Sequence, residues 1–188
     1  MKVNRKADIL TAAGILFSEQ GYHGTTIREI AAASEVRLGS LYAYINSKEA
    51  LLWEVISYAA DVFLAQVEMI PWDAPVEWQL MALVHAHLWV IAQEQPVATV
   101  FLHEWRYLNP TLRQQILLKR KTYEVSFQHM IEEGVQQGLF HVENTRTATL
   151  FVLSALNWAY QLLQYEHNLT IEQLATHYTH FILCMLKG

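Results

Sequence analysis

The chain has 188 residues, is 53% hydrophobic and 12% aromatic, and carries a formal net charge of −5 at pH 7. That length allows one large domain or one small and one larger domain, with ample apolar content for a core. The single cysteine, Cys184, excludes an intrachain disulfide, which fits a reducing compartment. No apolar run follows the basic N-terminus as in a signal peptide. No uninterrupted apolar stretch approaches the ~20 residues of a membrane span, so a cytoplasmic protein with no membrane partner is expected.

Charge is unevenly placed. Residues 1–55 balance Lys2, Arg5, Lys6, Arg28, Arg37 and Lys48 against Asp8, Glu19, Glu29, Glu35, Glu49 and Glu54. All the negative excess therefore lies in residues 56–188, and the N-terminal segment is free to approach a polyanion if its bases share one face.

Helical periodicity is nearly continuous, and strand and hairpin signals are missing. Ile9, Ala12, Ala13, Leu16 and Phe17 form the stripe of a first helix that Gly21 is placed to end. Thr26 and Glu29 match a capping box that opens a second helix through Ser34. A third helix is predicted over about 37–44, and Ser47 caps a fourth reaching about 67. Two prolines within Ile70–Pro75 break the chain. Further helices are predicted over about 76–94, 97–108, 110–137, 145–165 and 171–186, the last opened by a Thr170/Gln173 pair. The fold class is all-α with nine helices, divided into residues 1–52 and 53–188.

The second and third helices outline a helix-turn-helix, which presents its second helix to the DNA major groove. Gly39 lets backbone approach DNA, and Ser40 can bond a base edge or a phosphate. Tyr42 and Tyr44 join a ring to a hydroxyl that reaches phosphate. Lys48, in the first turn of the next helix, can clamp a phosphate together with backbone amides, and Thr25 and Thr26 can do the same one helix earlier. Arg37 offers a guanidinium that can read guanine bidentately. With Arg28, Leu38 and Leu41 these residues are the candidate DNA-binding set. The alternative is a three-helix packing unit with ordinary surface polar groups.

The ordered run Ala12, Leu16-Phe17, Gly21-Tyr22, Thr25-Thr26, Ile30-Ala31, Val36, Gly39-Ser40-Leu41-Tyr42, Tyr44, Ser47-Lys48-Glu49 and Leu51-Leu52 closely resembles the TetR family of transcriptional regulators. The resemblance implies an all-helical homodimer with an N-terminal DNA-binding domain and a C-terminal ligand-binding domain. The chain departs from the family pattern at four places. Glu35 stands where Gly is common in the turn, Arg37 where Ser caps the recognition helix, Leu38 where Lys is frequent and Ile45 where Phe is. Loss of the Ser cap would cost about 1 kcal/mol locally.

The resemblance also implies that the last two helices pair with their twofold mates in a four-helix bundle. Phe151, Leu162, Leu174, Tyr178, Phe181, Ile182 and Met185 are the expected interface. Between them and the head, the middle helices carry many rings. The candidate effector pocket is lined by Trp89, Phe101, Trp105, Tyr123, Phe127, Asn157, Trp158 and Gln161, with Trp105 and Trp158 as anchors; the alternative is that these rings are simply core. Asn157 and Gln161 are one turn apart and can share one polar ligand group. A narrower resemblance, through Phe101-Leu-His-Glu104-Trp105-Arg106, Tyr123-Glu124, Gly134, Gly138, Phe140 and Ala155-Leu-Asn-Trp158-Ala-Tyr160, is to TetR-type repressors of sterol and fatty-acid catabolism. It implies an effector with a large apolar part, such as an acyl-CoA thioester or a fatty or sterol acid, although Gln161 stands where an Arg is expected.

No catalytic motif is present, so no enzymatic activity and no cofactor are expected. His177, His180 and Cys184 fall on the helix assigned to the dimer, and His85 and His87 point to different faces, so no metal site is predicted. The reading is a DNA-binding regulator, a repressor released from double-stranded operator DNA by a hydrophobic small molecule. The rival is a dimeric helical carrier of hydrophobic ligands with no DNA-binding role.

Overall fold

The computed structural model describes residues 5–165 and 169–188, without the side chains of residues 160 and 163–165. Lys2 and the Tyr160 side chain lie outside the described residues. The described chain is all-helical: α1 (Arg5–Gly24), α2 (Ile27–Ala33), α3 (Leu38–Leu41), α4 (Lys48–Glu68), α5 (Val76–Gln93), α6 (Gln95–His103), a 3-10 turn at Trp105–Tyr107, α7 (Pro110–Gln136), α8 (Thr145–Tyr165) and α9 (Ile171–Lys187). These form two compact units, Met1–Asp61 with Glu94–Leu118, and Val62–Gln93 with Lys119–Gly188. The first unit holds the whole of residues 1–52, the expected head.

In the first unit, α1 buries Ile9, Ala12, Ala13 and Phe17, the helical stripe of the sequence, and packs on α2 and α6. Gly14 permits the close approach to α6, since a Cβ there would stand 3.0 Å from Val97 Cγ1. The backbone leaves helical geometry at Gly21 (φ 75°, ψ 163°), although helix bounds extend to Gly24. In the capping box of α2, Thr26 Oγ1 accepts from the Glu29 N–H at 3.2 Å and Glu29 Oε2 accepts from the Thr26 N–H at 2.6 Å. The helix ends in a Schellman arrangement: the Val36 N–H donates to the Ala31 carbonyl at 2.9 Å and the Glu35 N–H to that of Ala32 at 3.1 Å. Glu35 accordingly adopts φ 54°, the left-handed geometry that usually selects glycine.

The third helix is shorter than predicted. After Leu41 the chain tightens into i→i+3 bonds, Ala43 N–H to Ser40 and Tyr44 N–H to Leu41, as helix ends often do. Ser47 Oγ then accepts the Ala50 N–H at 2.9 Å and caps α4. Of the described helices, α4 is long and apolar enough to cross a membrane. Its apolar residues Leu51, Leu52, Val55, Ile56, Ala59 and Phe63 are buried within the protein, as in a core helix. The helix predicted over 97–108 begins earlier and ends earlier. Pro96 fits its first turn, where no amide hydrogen is needed, and a 3-10 turn replaces its last residues.

In the second unit, α5 is buried on most sides and packs against α8 and α9. Gly138 (φ 71°) terminates the approach to Phe140, whose buried ring lies where a Cβ on Gly134 would be. Thr170 and Gln173 form the second capping box and open α9.

Candidate nucleic-acid interface and effector site

On the head, Arg37, Leu38, Gly39, Ser40, Tyr42 and Tyr44 are exposed together, and a Cβ on Gly39 would meet nothing within 4 Å. Arg28 is also exposed and Lys48 half-buried. Two expected contacts are corrected. Leu41 is fully buried and is the apolar pin that holds α3 on the head, so it cannot meet a base. Thr25 is buried, and its hydroxyl donates toward the Gly21 and Leu16 carbonyls at 2.9 and 3.1 Å; it closes the end of α1 rather than binding phosphate. Thr26 is exposed, but its hydroxyl donates to Glu29 Oε2 at 2.7 Å, so its proton is already committed. That bond, with the Thr26 amide, holds the Glu29 carboxyl below its usual range. No side-chain bond caps α3 at Arg37, consistent with the missing Ser.

The Lys48 ammonium lies 4.3 Å above the centroid of the Tyr22 ring, within the range of a cation–π contact. Burial lowers the Lys48 pKa, opposed by the Glu29 charge. On the C-terminal side of α6, Tyr107 stacks on Tyr22 at 5.8 Å between centroids and meets His23 edge-on at 4.4 Å. Glu104 Oε2 accepts the Tyr22 N–H at 2.7 Å. The sequence reading missed this cluster; its only signal is that Tyr22 and Glu104 each fall within a family-like run.

The candidate effector residues are divided between the two units. Phe101 and Trp105 belong to the first unit, and the other six belong to the second. Tyr123 and Phe127 do come together, with ring centroids 5.5 Å apart, beside Phe63 and His87. His87 Nδ1 is 3.0 Å from the Tyr123 hydroxyl, while its Nε2 is buried with no hydrogen-bond partner among the described residues. Burial pushes the His87 pKa down to about 3 and the Tyr123 hydroxyl pKa far up, so both are neutral. Trp158 does not anchor an enclosed pocket: it is 61% exposed and shares a face of α8 with Phe151 and Leu162. Trp89 is at the edge of exposure, and Asn157 and Gln161 are half-buried. A cavity of about 400 Å³ in this unit is lined instead by Met69, Ile70, Met81, His85, Glu172 and Thr176 among others.

The expected dimer residues also divide. Phe151, Leu162 and Phe181 are exposed, Phe181 by 69%, and Tyr178 and Met185 are half-buried. Leu174 and Ile182 are buried within the protomer, which removes them from an interface; they hold α9 in its own unit. Cys184 Sγ and His180 Nε2 lie 3.8 Å apart, and no group of three metal-binding side chains occurs among the described residues.

Residues 9–55 match the family described as bacterial regulatory proteins, tetR family, and residues 73–186 match the tetracyclin repressor-like C-terminal domain. The chain belongs to the TetR family. It is a DNA-binding transcriptional regulator, which sets aside the carrier reading. It is 25% identical over 185 residues to the HTH-type transcriptional repressor KstR2 of Rhodococcus jostii RHA1, covering 97% of this chain and 91% of that one. It is 29% identical over 131 residues to the fatty acid metabolism regulator protein of Bacillus subtilis, covering 69% of this chain and 68% of that one. The solved structure of AibR in complex with isovaleryl coenzyme A and operator DNA superposes with a TM-score of 0.86 at 27% identity, over 98% of both chains. A tetR-family regulatory protein from Rhodococcus RHA1 gives 0.91 at 27% identity, again over 98% of both. These relatives are regulators rather than enzymes.

Proposed function

We propose that this regulator is a repressor that reads a near-palindromic operator as a homodimer and leaves it when an acyl-CoA thioester binds its second unit. The observation that carries the effector half is His87. A neutral imidazole with one unused nitrogen, set among Phe63, Tyr123 and Phe127, is a single uncharged polar point in apolar surroundings. Such a site suits a carbonyl, which one N–H satisfies. A free carboxylate there would be buried without a counter-charge, at a cost of several kcal/mol. The fatty acid metabolism regulator and the AibR complex with isovaleryl coenzyme A support the same class.

On DNA, Arg37 and Ser40 face base edges while Arg28, Tyr42, Tyr44 and Lys48 take phosphates. Half-site centres lie one turn apart, about 34–36 Å, or a multiple of it. The exposed rings Phe151, Trp158 and Phe181 supply the twofold contact that a two-headed reader needs. The effector works only through its different affinity for the operator-bound and released arrangements.

Fluorescence anisotropy on DNA from upstream of its own gene tests the reading. Isovaleryl-CoA and palmitoyl-CoA are titrated beside the matching free acids. A thioester should release the protein at least tenfold more potently than its acid. His87→Phe should raise the release midpoint at least tenfold and leave ligand-free operator affinity within about threefold. Equal potency of acid and thioester would refute the neutral anchor, and release by none of the four would refute the effector class.

A further inference from the structure

The run around Glu104 resembles relatives, yet the DNA and effector sites leave it without a role. Its geometry gives it one. At Gly21 the backbone turns out of helical geometry, immediately before the Tyr22 N–H. Glu104 Oε2, from just beyond α6, accepts that N–H at 2.7 Å. A hydrogen bond to a carboxylate is among the stronger ones available to an amide. The bond fixes the start of the segment that carries the Tyr22 ring. That ring has Tyr107 stacked on it at 5.8 Å between centroids and the Lys48 ammonium 4.3 Å from its centroid. Beside it, Glu49 Oε1 accepts the Asn109 N–H at 2.5 Å, so the first turn of α4 is tied to the same stretch. Every one of these contacts lies within the first unit.

We propose that Glu104 is a positioning residue for DNA binding: through the Tyr22 amide it holds the ring that aims the Lys48 ammonium at a backbone phosphate. The proposal rests on the reading of Lys48 as a phosphate contact. Glu104 itself touches no DNA. Its removal leaves Lys48 charged and present but unaimed, so one phosphate contact is lost without loss of the cation. A ring under a lysine also limits the ammonium to one side of the α4 start, which an unsupported four-carbon stem would not do.

The experiment measures operator affinity against salt for the full chain, four single variants and one double variant, with a thermal melt for each. Each neutralised phosphate contributes about −0.9 to the slope of log K against log salt. Lys48→Ala should flatten the slope by about one unit. Glu104→Ala should flatten it by a similar amount and weaken binding at least tenfold at 100 mM salt. The double variant Glu104→Ala/Lys48→Ala should show no further flattening. Glu104→Gln keeps an oxygen acceptor for the Tyr22 N–H and should stay within about threefold of the wild type with an unchanged slope. Tyr22→Leu keeps the N–H and removes the ring, so it should flatten the slope even if Glu104→Ala fails to fold. A folded Glu104→Ala that binds more weakly with the wild-type slope would make Glu104 merely structural and overturn the proposal. So would a folded Tyr22→Leu with the wild-type slope. A Lys48→Ala variant with the wild-type slope would refute the phosphate contact itself, a different failure that also removes the proposal.

Discussion

Protonation of His87 should make this protein acid-sensitive by an amount that the structure specifies. Its pKa is pushed from the ordinary 6.5 down to about 3 by complete burial. The folded value lies below the unfolded one, so the stabilising contribution is fully present above pH 6.5 and is lost as pH falls toward 3. Through that window the unfolded chain holds one more proton than the native chain. Stability then falls by about 1.4 kcal/mol per pH unit. Between pH 7.5 and 5.0 the loss through this one residue comes to about 2 kcal/mol, a sizeable part of the 5–15 kcal/mol typical of a domain. Other groups titrate too, so the wild type is compared with His87→Phe. That variant leaves the Tyr123 hydroxyl unpaired, but burial keeps this hydroxyl protonated throughout, so its cost is a constant offset. Urea unfolding at pH 7.5 and 5.0, at fixed protomer concentration, should show the wild type losing about 2 kcal/mol more than the variant. Parallel losses would mean that His87 is solvated or charged in the native protein, and the neutral anchor in the effector proposal would fall with it.

Three further outcomes follow from packing. Gly134→Ala would place a Cβ 2.1 Å from Phe140 Cδ2, so despite better helix propensity it should lower stability by about 1–3 kcal/mol in a thermal melt; a higher melting temperature would show that the ring moves freely. Thr26→Ala removes the acceptor for the Glu29 N–H and the donor to Glu29 Oε2 and should cost about 1 kcal/mol in chemical denaturation, with no change expected if the box were slack. Phe181→Glu replaces the exposed ring of α9 with a charge, and sedimentation should show a dimer for the wild type and a monomer for the variant; a variant that stays a clean dimer would move the interface elsewhere.

The helices were legible because their ends are written locally. Thr26 with Glu29, Thr170 with Gln173 and Ser47 before α4 each act within a few residues, and each stands where the spacing predicts. The sites were less legible because they depend on what packs across the chain. Leu41 sits in a run of surface residues on a four-residue helix, too short for periodicity to say which side is down. Glu104 and Tyr22 are 82 residues apart, and no local pattern links a carboxylate to a distant amide. His85 and His87 were correctly placed on different faces, half-exposed and buried. Only the fold supplies Tyr123, 36 residues on, as the partner that gives His87 a role. The last two helices show the limit most clearly. Helix α8 is apolar on two faces, Val152, Leu156 and Ala159 on one and Phe151, Trp158 and Leu162 on the other. Hydrophobicity marks both as surfaces that favour burial, but it does not say which belongs to the protomer's own core. The structure buries the first and leaves Phe151, Trp158 and Leu162 exposed among the described residues. That exposure is the physical ground on which Trp158 is proposed for the twofold contact rather than the effector pocket.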